Sequence, residues 1–260
     1  MKADYRNWVP KSMVTVPPVL TAVSVVLLIL TQQITAVRLR AFCFIFLSML
    51  TLVSGACSFM FISWYQAFSY KGRRKLSKHI IEGIADFIKV PEGGHALDIG
   101  CGSGALTIAC AKKNPKAQIT GVDRWGKNYR SFSKKLCEKN AEAEGVKNVT
   151  FQKGDAKKLD FPDESFDCVL SNYVYHNIVG ADKQALLRET LRVLKKGGTF
   201  AIHDLMSPIR CGDMQKFVGE LKNEGYEKVE LINTANGMFM TKREAKRLFL
   251  ESSTLLTGIK

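Results

Sequence analysis

Eight consecutive residues, Leu97-Asp98-Ile99-Gly100-Cys101-Gly102-Ser103-Gly104, carry an apolar stretch into a glycine-rich turn. Nineteen residues beyond Gly104, the stretch Gln118-Ile-Thr-Gly-Val-Asp123 ends in a second acid. This layout is that of a nucleotide site: glycines let the backbone close on a ligand, and the acid after the second strand grips ribose hydroxyls. Asp98 narrows the chemistry. A carboxylate inside the turn would repel a pyrophosphate but suits a ligand that carries positive charge, such as a sulfonium with a free ammonium. Gly100-x-Gly102-x-x-Ala105 also fits the dinucleotide fingerprint, which admits Ala at its third position, so Asp98 separates the two readings.

A second group of reactive side chains follows the apolar run Phe166–Ser171, in Ser171-Asn-Tyr-Val-Tyr-His-Asn177. His176 is the candidate general base, because an imidazole can take or give a proton near neutral pH; a structural histidine is the alternative. Tyr173 and Tyr175 either line an acceptor pocket or pack in the interior. His203-Asp204 closes a later apolar run and His203 is a further acceptor-side candidate. Asp155, in Gly154-Asp155-Ala156, is a ligand acid or a turn cap. Seven cysteines show no CxxC or CxH spacing, which argues against a zinc site and for reduced, mostly buried thiols. Cys101 reads as small filler in the turn.

These residues need elements to hold them. His95–Ile99, Gln118–Asp123, Val149–Lys153, Phe166–Ser171 and Thr199–Asp204 read as strands. Between and before them, Ser77–Val90, Ala105–Lys113, Lys127–Glu144 and Asp182–Leu194 read as helices, and Lys195-Lys-Gly-Gly198 reads as a turn. The alternation predicts a parallel sheet covered by helices on both faces. The tail adds helix 213–223, strand 227–232, helix 241–250 and a final strand 253–259.

The 260 residues are not uniform. Residues 12–37 and 41–70 contain no charged side chain, whereas charges are spread throughout the chain from Lys71 onward. We expect a membrane segment over 1–66 with spans at about 14–36 and 41–65, a basic linker with a lid-like helix over 67–94, and a catalytic domain over 95–260. Val37-Arg-Leu-Arg40 is the expected turn between the spans, and Trp64-Tyr65 suits an interface. A signal peptide is the alternative for the first span, but no small-x-small cleavage site precedes Arg38. The net charge is +14, and Lys71, Arg73, Arg74, Lys75 and Lys78 cluster after the second span. That cluster favours an anionic cytoplasmic membrane face. No basic patch interleaved with aromatics accompanies it, so no nucleic-acid partner is expected.

Together, Leu97–Gly104, Gly121-Val-Asp123, Gly154-Asp-Ala156, Phe166–Ser171 and Leu194-Lys-Lys-Gly-Gly-Thr-Phe200 resemble the class I S-adenosylmethionine-dependent methyltransferases, especially the small-molecule group that includes ubiquinone/menaquinone-type C-methyltransferases. The resemblance implies a Rossmann-like α/β fold with a seven-stranded sheet of order 3-2-1-4-5-7-6 and strand 7 antiparallel. It implies S-adenosyl-L-methionine as cofactor. Asp98, Gly100, Cys101, Gly102 and Gly104 would surround its methionine end, Asp123 would take the ribose, and Arg124 and Trp125 would flank the adenosine. Asp155 and the backbone of Ala156 would meet the adenine, and Ser171 and Asn172 would face the cofactor and open toward the acceptor.

The expected function is methyl transfer by a membrane-anchored enzyme, its catalytic domain cytoplasmic, to a small and lipophilic acceptor. A protein or phospholipid-headgroup methyltransferase, or a non-catalytic S-adenosylmethionine-binding membrane protein, are the alternatives. The Asn-Pro-Pro-Tyr type of motif found in many nucleic-acid amino-methyltransferases is not present in this sequence.

Overall fold

The computed structural model describes residues 2–126 and 131–260. The chain forms two compact units: Asn7–Ser77, and Met1–Arg6 together with Lys78–Lys260.

The first unit is a helical hairpin. Helix α1 spans Lys11–Leu30, a 3-10 turn covers Thr31–Gln33, and helix α2 spans Val37–Phe68. Pro17 and Pro18 lie inside α1, where each removes a backbone donor. The expected turn at Val37–Arg40 is instead the first turn of α2; the chain reverses at Ile34–Ala36, and residues 37–40 hold no helix breaker. The helices pair along a polar seam: the Thr21 and Ser54 hydroxyls are 2.9 Å apart and those of Thr51 and Ser24 are 2.8 Å apart. Ser24 and Ser54 are buried, whereas Phe42, Leu52 and Phe59 on the outer faces are 68%, 74% and 81% exposed. Small and hydroxyl residues inside with apolar residues outside is the pattern of helices that pair within lipid. Both helices are long and apolar enough to cross a bilayer.

The second unit is built on one seven-stranded sheet of order β3-β2-β1-β4-β5-β7-β6. Its strands are β1 His95–Ile99, β2 Gln118–Asp123, β3 Val149–Lys153, β4 Phe166–Asn172, β5 Leu194–Leu205, β6 Lys228–Asn233 and β7 Ser253–Ile259. The strands β1 to β5 pair in parallel and β7 runs antiparallel to both neighbours. The buried centre explains the near-continuous apolar runs of β1 and β4, which are covered on both faces. Helices α3 Leu76–Ala85, α4 Ala105–Lys113, α5 Lys134–Ala143, α6 Lys183–Arg192, α7 Pro208–Cys211, α8 Met214–Asn223 and α9 Lys242–Leu248 complete the chain. Asp182, Asp213 and Thr241 cap α6, α8 and α9 through side-chain oxygens, which explains where these helices start.

Three boundaries differ from expectation. Helix α3 stops at Ala85 rather than Val90. The helix expected over Lys127–Glu144 is observed from Lys134, started by the Ser133 hydroxyl accepting from Leu136 N–H; residues 127–130 lie outside the described residues. Lys195–Gly198 is part of β5 rather than a turn, because Lys260 at the far end of the chain exchanges backbone bonds with it: Gly197 N–H donates to Lys260 O, and Lys260 N–H to Gly198 O.

Candidate active site

Ile99, Asp123, Lys153, Asn172 and Leu205 end adjacent parallel strands, so the glycine turn, Asp123, Asp155 and the 172–177 loop gather at one carboxyl edge of the sheet. That is where open α/β sheets bind ligands.

The glycine turn is held from below. Gly100 and Cys101 N–H both donate to Val122 O, and Gly100, Gly102 and Gly104 all take positive φ, at 73°, 55° and 79°. Such backbone is open to glycine and costly for other residues. Gly104 leads directly into α4. Asp98 is 1% exposed and accepts from the Thr107 hydroxyl of α4 at 2.6 Å. Thr107 reaches it because Gly121 on β2 has no side chain; a Cβ there would stand 2.8 Å from Thr107 Oγ1. Burial pushes the Asp98 carboxyl up to about 7, opposed by the Thr107 hydrogen bond and assisted by the charge of Asp123.

Asp123 knits this edge together. Its Oδ2 accepts from Gly102 N–H at 2.9 Å and its Oδ1 from Trp125 N–H at 2.7 Å. Trp125 indole N–H donates to Gly102 O at 2.9 Å, so Trp125 braces the turn. Arg124 is exposed and Asp155 half-buried, and they pair at 3.7 Å, while Asp155 also accepts from Lys157 N–H within a turn. Ala156 is buried. A glycine cradle, a buried acid beneath it and a second acid at its rim, with no lysine or arginine bonded to the turn among the described residues, fit a cationic adenosyl ligand better than a pyrophosphate.

The turn has a further support that the sequence did not announce. Asn140 of α5, 2% exposed, donates to Ser103 O at 3.0 Å and to Asp4 O at 3.1 Å, and accepts from Asp4 N–H at 2.8 Å. Tyr5 packs on the cluster of Cys101, Ile108, Cys137, Ala141 and Phe151 behind the turn. The thiol of Cys101 lies in this cluster, its ionisation disfavoured by burial and by Cys137, which matches the reading of Cys101 as filler.

Further along the same edge, His176 Nδ1 stands 2.6 Å from Asp204 Oδ1. Asp204 is 2% exposed and also accepts from the backbone N–H groups of Tyr175, His176 and Leu205. Its oxygens are therefore acceptors all round, which puts the imidazole proton on Nδ1 and makes Nε2 the acceptor nitrogen of the ring. Val174 of the same loop lies over Gly100, where an added Cβ would be 2.2 Å from Val174 Cγ2.

The structure corrects three expected contacts. Tyr175 is 2% exposed and its hydroxyl pairs with Thr190 of α6 at 2.7 Å, so its ring is core and not an acceptor wall. His203 is fully buried between the Asn172 amide and the Thr234 hydroxyl, both at 2.8 Å, and burial lowers it to about 3, so it stays neutral and structural. Ser171 is fully buried and donates to Ile99 O at 2.8 Å, tying β4 to β1 rather than facing a cofactor. Tyr173 keeps partial exposure; it takes φ +54°, donates its N–H to His203 O and stacks beside His203 and His176, with its hydroxyl 2.6 Å from Ser253 Oγ. Asn172 is also partly exposed. A separate surface groove of about 570 Å³ is lined by 158–163, Glu189 and Arg192, and in it Arg192 pairs with Glu189 and Asp163.

Residues 91–252 match a family model described as a methyltransferase domain. A demethylmenaquinone methyltransferase of Staphylococcus aureus is 35% identical over 174 residues, 63% of this chain and 68% of its own length. Among solved structures, the [4+2]-cyclase SpnF is similar with a TM-score of 0.54 at 19% identity, over 76% of this chain and 83% of its own. Haemonchus contortus phosphoethanolamine N-methyltransferase 2, solved with phosphomonomethylethanolamine and S-adenosylhomocysteine, is similar with a TM-score of 0.51 at 18% identity, over 73% of this chain and 53% of its own. At these identities the two structures show a shared fold; a cyclase among them shows that the fold alone does not fix the reaction.

Proposed function

We propose that this chain, which belongs to the class I S-adenosylmethionine-dependent methyltransferase family, methylates a small lipophilic acceptor of the quinol type while anchored in a membrane, with its catalytic unit on the cytoplasmic side. The cofactor is S-adenosyl-L-methionine, which supplies a methyl group on a sulfonium. The backbone of Gly100–Gly104 is the cradle for its amino-acid end, with Asp98 as counter-charge to the ammonium, Asp123 for the ribose hydroxyls and Asp155 for the adenine amine.

The observation that carries the reading is the His176–Asp204 pair beside the glycine turn. A quinol ring carbon becomes a good nucleophile as its hydroxyl proton leaves; once that carbon had taken the methyl group, with S-adenosylhomocysteine as the leaving group, it would lose its own hydrogen as a proton and the ring would become aromatic again. His176 Nε2 is the candidate to accept the hydroxyl proton, and Asp204 holds the imidazole in the required tautomer and supports the charge it gains. Positioning and water exclusion do the rest for an in-line methyl transfer. Val174 over the turn is an apolar element suited to that exclusion.

Support for the acceptor class comes from two directions. The Staphylococcus aureus relative is named for demethylmenaquinone, a lipid-soluble acceptor. The hairpin has an apolar exterior and a polar seam, as expected of a bilayer anchor. The test is to incubate the full-length protein in lipid nanodiscs with S-adenosylmethionine labelled in its methyl group and a prenylated naphthoquinol that lacks the ring methyl. Label in the organic extract, abolished by Asp123→Ala, is the expected result. Label only in protein or in phospholipid headgroups would replace this acceptor class, and cofactor binding without transfer to the quinol would remove that acceptor.

A further inference from the structure

We propose that the carboxyl edge of the catalytic sheet is itself a membrane-contacting surface, dipping loop-tip hydrophobic side chains into an anionic bilayer beside the active-site opening; this rests on the membrane-anchored reading above. Among the described residues of Lys78–Lys260, the exposed large hydrophobic side chains are Val179, Ile209, Met238 and Phe249, at 87%, 99%, 39% and 65% exposure.

Their places in the chain share one property. Val179 follows β4 and the 3-10 turn Tyr175–Asn177, and Ile209 lies in α7 directly after β5. Met238 and Phe249 lie between the end of β6 and the start of β7. β4 and β5 are parallel, β7 starts opposite the end of β5 at Ser253 and Leu205, and β6 ends opposite the start of β7 at Asn233 and Thr254. All four therefore sit on the edge that carries His176 and Asp204. Single exposed hydrophobic residues scattered over a surface are ordinary, but these are gathered on one edge.

The charge around them agrees with anionic lipid. Arg210 adjoins Ile209, and Lys242, Arg243 and Lys246 are exposed on α9 between Met238 and Phe249. Besides Asp123, Asp155 and Asp204 of the site, the acids on the same edge are Asp182 and Asp213, both capping helices, and Glu251 and Glu244, the latter closing the capping box of α9. Apolar tips flanked by bases match a phospholipid headgroup layer over a hydrocarbon interior. An acceptor dissolved in the bilayer would then enter the cleft without crossing water.

The experiment uses the full-length protein in vesicles of equal parts phosphatidylglycerol and phosphatidylcholine. Nitroxide labels are placed singly through Val179→Cys, Ile209→Cys, Leu52→Cys and Lys116→Cys, on a Cys43→Ser, Cys57→Ser background. Leu52 reports on the hairpin, and Lys116 marks the opposite edge of the sheet. The ratio of oxygen to aqueous nickel accessibility is read at each site. The expected result is a ratio several-fold higher at 179 and 209 than at 116, falling at 209 but not at 52 when the vesicles are phosphatidylcholine alone.

A high ratio at 52 with aqueous values at 179 and 209 overturns this proposal and leaves the membrane-anchored reading standing. Labels at 179 and 209 shielded from oxygen and nickel alike would identify a protein partner on this edge and also overturn it. An aqueous ratio at 52 sinks the anchored reading, and this proposal with it.

Discussion

At the scale of single residues, Asp204 is what distinguishes His176 from an ordinary surface histidine. Three backbone donors and the imidazole converge on one buried carboxylate, so Asp204 fixes the orientation of the His176 ring, and in the proposed reaction this is what positions the base. Asp204→Asn and His176→Ala are each expected to lower kcat by about 100-fold or more with the KM for S-adenosylmethionine nearly unchanged. The double variant should lose little beyond the worse single one, because the pair acts as a unit. Steady-state kinetics on the three variants decides this. Asp98 gives a second prediction. In the free protein its carboxyl is held up to about 7, chiefly by burial. A bound ammonium favours the ionised form, so binding lowers that value and releases a proton below about pH 7. Affinity for the cofactor should weaken by about tenfold per unit as pH falls below about 7, and level off above it. Calorimetry in buffers of different ionisation heat reads both effects. An affinity unchanged from about pH 6 to about pH 8 would remove the ammonium from Asp98.

At the scale of elements, the cofactor cradle depends on how closely α4 and α5 approach the sheet. Gly121 has room for no side chain: a Cβ would meet Thr107 Oγ1 at 2.8 Å, Phe151 at 2.9 Å and Cys101 at 3.0 Å. Gly121→Ala is therefore expected to destabilise the catalytic unit by about 1–3 kcal/mol through overpacking, visible as a lowered Tm. The same variant should weaken cofactor binding, since it pushes on both Thr107 and the turn. Asn140 makes the complementary case. It ties the Ser103 carbonyl to the backbone of Asp4, so residues far apart in the chain hold one loop. Asn140→Ala should raise the KM for S-adenosylmethionine several-fold and leave kcat close to that of the parent, a split that general unfolding would not produce.

At the scale of the whole molecule, two units of opposite surface character share one chain. In the hairpin, hydroxyls face inward and large apolar side chains face outward; in the catalytic unit that order is reversed, except along the carboxyl edge. Water cannot favour both. The full-length protein is accordingly expected to remain in the membrane pellet through alkaline carbonate washing, and to be released by detergent. Its appearance in the wash would show that the hairpin is held by something other than lipid.

Much of this was legible beforehand. β1, β2, β3 and β7 begin and end where the sequence placed them; β1 is the clearest case, because a strand buried on both faces must be apolar along most of its length. The glycine turn and Asp123 were readable for the same local reason: backbone that must adopt positive φ selects glycine, and the acid lies at a fixed distance in the unit. The sequence by itself thus determined the fold family, the cofactor class and the presence of two long apolar helices. What tertiary structure decided is everything that depends on distant partners or on the direction of a side chain. Lys195–Gly198 became strand because Lys260 pairs with it. Tyr175 and His203 turned inward, to Thr190 and Thr234, although their place near the strand tips suited an acceptor wall equally well. His176 gained its orienting carboxylate across 28 residues, and Asn140 reached Asp4 across 136. Local pattern records how each segment is buried; which groups meet across the fold is settled only when the sheet brings their strand ends to one edge.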